Sequence, residues 1–124
     1  MSRLVWIAVG GAAGSVARAL LAGAVRGLTE HPLPVGVLAV NAVGSLLAGV
    51  LAGLWAGGGA SEAVQALLIA GFLGGFTTYS AFNQETLWLL EKGRVGVAAG
   101  HLALTVAVCL ALGIAGMAAG RALR

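Results

Sequence analysis

The chain contains no aspartate, and its four acids are all glutamates: Glu30, Glu62, Glu85 and Glu91. Charged residues make up only 9% of its 124 residues. Soluble domains carry roughly 25%. One cysteine, Cys109, excludes an intrachain disulfide and says nothing about redox compartment. The two histidines, His31 and His101, fall in different elements, so the sequence offers neither a metal cluster nor a catalytic constellation. No glycine-rich phosphate loop follows a strand; "GGGAS" at Gly57 has no lysine partner. The net charge of +3 is spread along the chain, which leaves no patch for nucleic acid or anionic lipid.

Apolar sequence fills the space. Hydrophobic residues reach 60%, and the mean hydropathy is +1.01. Four long gaps lie between charges: Leu4 to Val25 (interrupted by Arg18), Leu33 to Ser61, Ala63 to Leu90 (interrupted by Glu85), and Val95 to Gly120. At about 1.5 Å per residue, each gap holds one helix across a core of about 30 Å. The expectation is an all-α membrane protein of four transmembrane helices in one domain, residues 1–124. A cleavable signal peptide is the alternative for the first segment, but its apolar run resumes after Arg18 and outlasts a signal core. The connections, "GLTEHPLP" (Gly27 to Pro34), "GGGASE" (Gly57 to Glu62) and "EKGR" (Glu91 to Arg94), are too short for a soluble domain. Function is expected inside the membrane.

With four spans, Arg3, Arg121 and Arg124 lie on one side and Arg26, Lys92 and Arg94 on the other. Orientation follows the Lys/Arg bias of short loops, and three against three gives none. A dual-topology antiparallel homodimer follows; a single orientation set by Arg18 or a terminus is the alternative.

Glycine is abundant, with 21 residues. Gly10 and Gly14, Gly49 and Gly53, and Gly116 and Gly120 each form G-x-x-x-G, a spacing that lets helix backbones approach closely. Packing alone does not account for Gly71, Gly74 and Gly75. They precede Thr77, Thr78 and Ser80 and read as a third helix stopped and restarted, with half-helices from Ala63 to about Gly74 and from Tyr79 to about Leu90. Each half is about 18 Å long, which puts the break at the midplane. Unwound backbone at that depth exposes carbonyls and amides suited to ions.

Asn41 is the one strongly polar residue of the second helix, with Ser45 a turn later. It serves either an ion or a hydrogen bond to another helix. Tyr79, Phe82 and Glu85, spaced by three, share one face. Aromatic ring edges are positive and can meet an anion, though such rings also serve as core or interfacial anchors. His101, Thr105 and Cys109 repeat every four residues, as an ion track or an interhelical hydrogen-bond seam. Arg18 and Glu85 are ionisable groups inside spans and read as lining a watery vestibule.

"GGAAGSVARAL" (Gly10 to Leu20), "GVLAVNAVGSLLAG" (Gly36 to Gly49) and "GFLGGFTTYSAFNQE" (Gly71 to Glu85) resemble, in order and spacing, three signature motifs of the Fluc, or CrcB, family of bacterial fluoride channels. The resemblance covers essentially the whole chain. It implies a dual-topology homodimer in the bacterial plasma (inner) membrane, with two antiparallel pores passing fluoride passively out of the cytoplasm. It makes Asn41 the pore's amide donor and places Tyr79 and Phe82 at the aromatic box, with Thr78 and Ser80 beside them. It puts Arg18 and Glu85 in the vestibule, and His101, Thr105 and Cys109 where the family has a tyrosine and two serines. The backbone carbonyls of Gly74 and Thr77, from both copies, would hold a structural sodium ion. Tyr79 stands where phenylalanine is usual, and Val37 where threonine is usual. Fluoride is small and tightly hydrated, so a pore must replace its water with donors such as the Asn41 amide while a narrow bore rejects chloride. The competing class is a small dual-topology, proton-coupled multidrug exporter, which resembles its relatives in a first-helix glutamate; here that helix carries Arg18 and no acid. A structural subunit that conducts nothing is the third reading.

Overall fold

Every regular element is helical in the computed structural model of the chain, which describes residues 2–30 and 33–124. His31 and Pro32, expected in the first connection, lie outside the described residues. The elements are α1 (Arg3–Gly27), α2 (Val35–Leu54), α3 (Glu62–Gln65), a wider π-helical stretch (Ala66–Leu73), α4 (Gly74–Phe76), α5 (Tyr79–Glu91) and α6 (Val95–Ala122). Among the described residues, four spans are long and apolar enough to cross a membrane: Arg3–Gly27, Val35–Leu54, Glu62–Glu91 and Val95–Ala122.

The ends of these helices have local causes. Arg26 turns its Nε back to the Ala22 carbonyl, 3.2 Å away, which holds its positive charge at the C-terminal end of α1, where the helix dipole favours a cation. The Ser61 hydroxyl accepts from the Val64 N–H and starts α3. At the end of α5, Gly93 adopts φ +69°, and its N–H donates to the Leu90 carbonyl while the Arg94 N–H donates to that of Leu89. This Schellman pattern turns the chain into α6 within three residues.

Glycine decides which helices pair. Lipid offers no hydrophobic drive for helix association, so close backbone packing carries it. A methyl group at Gly10 would meet the Leu67 carbonyl, and one at Gly14 the Phe72 carbonyl, both on the third span. Gly49 and Gly53 of α2 lie against the Gly113 and Met117 carbonyls, while Gly116 and Gly120 of α6 lie against those of Leu46 and Val50. All three G-x-x-x-G pairs are thus used inside one chain: α1 holds the third span, and α2 holds α6. Ala22, Val40 and Phe76 form a small core between α1, α2 and the third span, bordered by Ala17, Leu21 and Phe72. The outward surface is apolar, with Val16, Leu20, Val106, Leu110 and Ile114 all exposed. A bilayer or a second copy covers such a surface.

Candidate functional site

The third span changes conformation at Thr77 and Thr78. Both are extended, with φ/ψ of −80°/155° and −151°/119°, while Gly74 and Gly75 remain helical. Helical geometry therefore runs beyond Gly74, its expected end, to Phe76. Gly75 serves packing instead, since a methyl there would strike the Gly11 carbonyl, and Gly71 likewise lies against the Ile7 carbonyl; a methyl at Gly74 would meet only an ordinary contact.

What holds the extended pair is a side chain from another helix. Asn41 on α2 donates from Nδ2 to the Thr78 carbonyl at 3.0 Å and accepts the Thr78 N–H at Oδ1 at 2.9 Å. An uninterrupted helix would direct the Thr78 N–H to the Gly74 carbonyl and the Ala81 N–H to that of Thr77. Here the Ala81 N–H goes to the Thr78 hydroxyl at 3.2 Å, which caps α5. The carbonyls of Gly74 and Thr77 are released together. Arg18 of α1 points Nη1 at the Thr77 carbonyl from 3.5 Å, and the Thr77 hydroxyl donates to the Leu73 carbonyl at 2.8 Å. Gly44, one turn beyond Asn41, gives the Thr77 methyl its space.

Beside this pair lies an open, mostly apolar groove of about 600 Å³. Asn41, Gly74, Thr77, Thr78, Tyr79, Phe82, Thr105 and Cys109, all named from the sequence, line it together with Ser45. The Tyr79 and Phe82 rings stand 5.7 Å apart at 60°. Tyr79 is 78% exposed, so one chain alone leaves the groove unsealed on that side. Phe82 is buried, and its other side meets the His101 ring at 5.0 Å.

A second cavity of about 450 Å³ collects Arg18, Ser80 and Glu85, joined by Arg26 and Gln84. Thr78 lines both cavities and is their common wall. Its hydroxyl lies 3.2 Å from that of Ser80. His101 lines neither; it is buried behind Phe82, with Nε2 3.8 Å from Glu85 Oε2. Sequence reasoning left Arg26, Gln84 and Gly44 out of the site. Arg26 carried a signal, since it repeats Arg18 two turns later on α1. Gly44 carried none apart from its place between Asn41 and Ser45.

The model of the CrcB-like protein family (Camphor Resistance, CrcB) matches residues 5–117. The chain is 45% identical over 119 residues to the fluoride-specific ion channel FluC of Anaeromyxobacter dehalogenans, covering 93% of this chain and 92% of that protein. It is 40% identical to the protein of the same name from Sorangium cellulosum, over 99% of this chain and 98% of the other. The corresponding protein of Geobacter sulfurreducens is 43% identical over 99% of this chain and 100% of its own length. By those names the relatives are ion channels and not enzymes. The matched segment takes in the signature residues of all four spans, and the chain belongs to the CrcB family as a multi-pass membrane protein.

Proposed function

We propose that this chain is a passive, selective fluoride channel that works as an antiparallel dual-topology homodimer in the bacterial plasma membrane and lets cytoplasmic fluoride out. The observation that carries the reading is the Asn41–Thr78 exchange, which in one stroke opens the backbone and sets an amide donor beside two aromatic rings. The names of relatives matched over nearly the full chain support the choice of ion.

The chemistry suits fluoride. One Asn41 Nδ2 hydrogen is engaged by Thr78, which leaves the second, with no other acceptor among the described residues, for an ion in the groove that Asn41 lines. Phe82 and Tyr79 add positive ring edges without adding a cation that would trap the ion. The apolar remainder of the lining offers a larger, less tightly hydrated anion no compensation for its bulk. Arg18 and Arg26 draw anions into the adjoining cavity, and Ser80 and Thr78 hand on hydrogen bonds between the two spaces.

The assembly follows from what one chain lacks. Two loop sets with equal positive charge permit both insertions. The exposed Tyr79 and the open groove need a cover, and a second copy related by a two-fold axis supplies one. The third span would then break at the midplane, with Thr77 and Thr78 near the axis. A structural sodium ion fits the donor set, because the released carbonyls of Gly74 and Thr77 are hard, neutral oxygens that double in a dimer. When bound, that ion would offset carbonyl repulsion between the copies. Fluoride efflux from liposomes containing the purified protein, followed with a fluoride electrode, tests the reading. Fluoride release without chloride release is the expected result; proton-driven drug uptake, or no flux, would replace it with an exporter or a structural subunit.

A further inference from the structure

Among the described residues, three buried polar atoms have no hydrogen-bond partner: Oε2 of Glu85, Nε2 of His101 and Oγ1 of Thr105. His101 and Thr105 are 1% and 6% exposed, and they share one face of α6. The Glu85 side chain is 27% exposed, so it reaches water on one side and the buried imidazole on the other. Nε2 and Oε2 are 3.8 Å apart, just beyond hydrogen-bond length. Leaving such groups unpaired is costly, and a bare carboxylate oxygen in this setting costs most. A hydrogen on either atom makes it a donor to the other, and one proton beyond the hydrogen that a neutral imidazole already carries cancels the net charge of the pair.

We propose that Glu85 and His101 form a proton-binding site beside the anion route, with a proton supplied by the water that reaches Glu85 and held between Oε2 and Nε2. The surrounding titratable and charged groups fit this role. On α1, Arg18 and Arg26 line the cavity that Glu85 enters. Residues 35–54 of α2 include none. On α5, Tyr79 lies across the Phe82 ring, and on α6 Cys109 lies two turns from His101. Imidazole is the side chain whose charge ordinarily changes between about pH 5 and 8. With the proton bound, the Glu85 charge is compensated next to Phe82. Without it, the carboxylate repels an anion passing the ring, so flux falls as pH rises.

This site rests on the channel reading for its effect on flux, but its existence can be read separately. Fluoride efflux is measured at equal internal and external pH from 5.5 to 8.5, with protein-free vesicles subtracted to remove leak of the neutral acid. The native rate is expected to fall at least threefold across that range, and Glu85→Gln to lose the slope whatever its basal rate. In parallel, ¹⁵N-histidine NMR of the reconstituted protein follows the His101 resonance, identified by its loss in His101→Tyr. Its titration midpoint is expected to move by at least half a pH unit in Glu85→Gln. A pH-independent native flux overturns the proposal, as does a His101 titration indifferent to Glu85→Gln. If no fluoride moves at any pH, the channel reading fails, and the NMR shift alone then upholds or overturns the proton site.

Discussion

Asn41 and Thr78 exchange two hydrogen bonds across 37 positions of sequence, Nδ2 to carbonyl at 3.0 Å and N–H to Oδ1 at 2.9 Å. One side chain thereby bonds both backbone groups of Thr78. It also removes the donor that would have closed the helix over Gly74.

Asn41→Asp keeps the acceptor for the Thr78 N–H and sets an oxygen against the Thr78 carbonyl. The loss of a partly buried hydrogen bond costs about 1–3 kcal/mol. Fluoride efflux is expected to fall to background, because the amide donors are gone and an ionised carboxylate repels the anion. Thermal unfolding in detergent and electrode-monitored efflux, run on the same preparation, check both effects. Efflux at the native rate would remove Asn41 from the pore.

The glycine contacts separate packing glycines from idle ones. Gly14→Ala drives a methyl into the Phe72 carbonyl and the Phe76 N–H, whereas Gly23→Ala meets nothing within 4 Å. Overpacking of this kind costs about 1–3 kcal/mol, while alanine in an open helical position gains up to about 1 kcal/mol. The melting temperature should drop for the first and hold or rise for the second. Equal melting temperatures would mean that α1 does not pack on the third span through Gly14.

How much of this was legible follows from where the causes lie. The four spans read directly from the sequence, because charge and short polar stretches interrupt apolar runs at Arg26, Glu62 and Glu91–Arg94. The end of the first half of span three did not. Gly74 and Gly75 look like stop signals, yet both stay helical, the missing side chain of Gly75 serves the approach of Gly11, and the conformational change two residues beyond Gly75 is set by Asn41 on another helix. The π-helical stretch has no sequence signature at all. Spacing did group Tyr79 with Phe82 and His101 with Thr105, since both pairs sit on single helices. The approach of His101 to Glu85 is tertiary, and spacing within one helix says nothing about it.

Topology offers a test independent of transport. With three basic residues on each side, a C-terminal reporter should report both orientations for the native chain, and adding one lysine to either loop set should bias it. One fixed orientation in the native chain would rule out the antiparallel dimer.

Phe82 is wedged between Tyr79 and His101, with ring centroids 5.7 Å and 5.0 Å away. Phe82→Ile keeps apolar bulk and removes the positive edge. Fluoride efflux is expected to drop at least tenfold with chloride still excluded, as read by paired fluoride and chloride electrodes. Native-like conduction would make the ring filler and misplace the pore face.

The central claim is that fluoride moves passively, as the ion alone, and the reversal potential in a planar bilayer tests it most directly. Under a tenfold fluoride gradient the current should reverse at about 59 mV. Imposing a pH gradient should change the size of the current through the Glu85–His101 pair and leave the reversal potential where it is. A reversal potential that shifts with the pH gradient, or the absence of any fluoride current, would contradict the account.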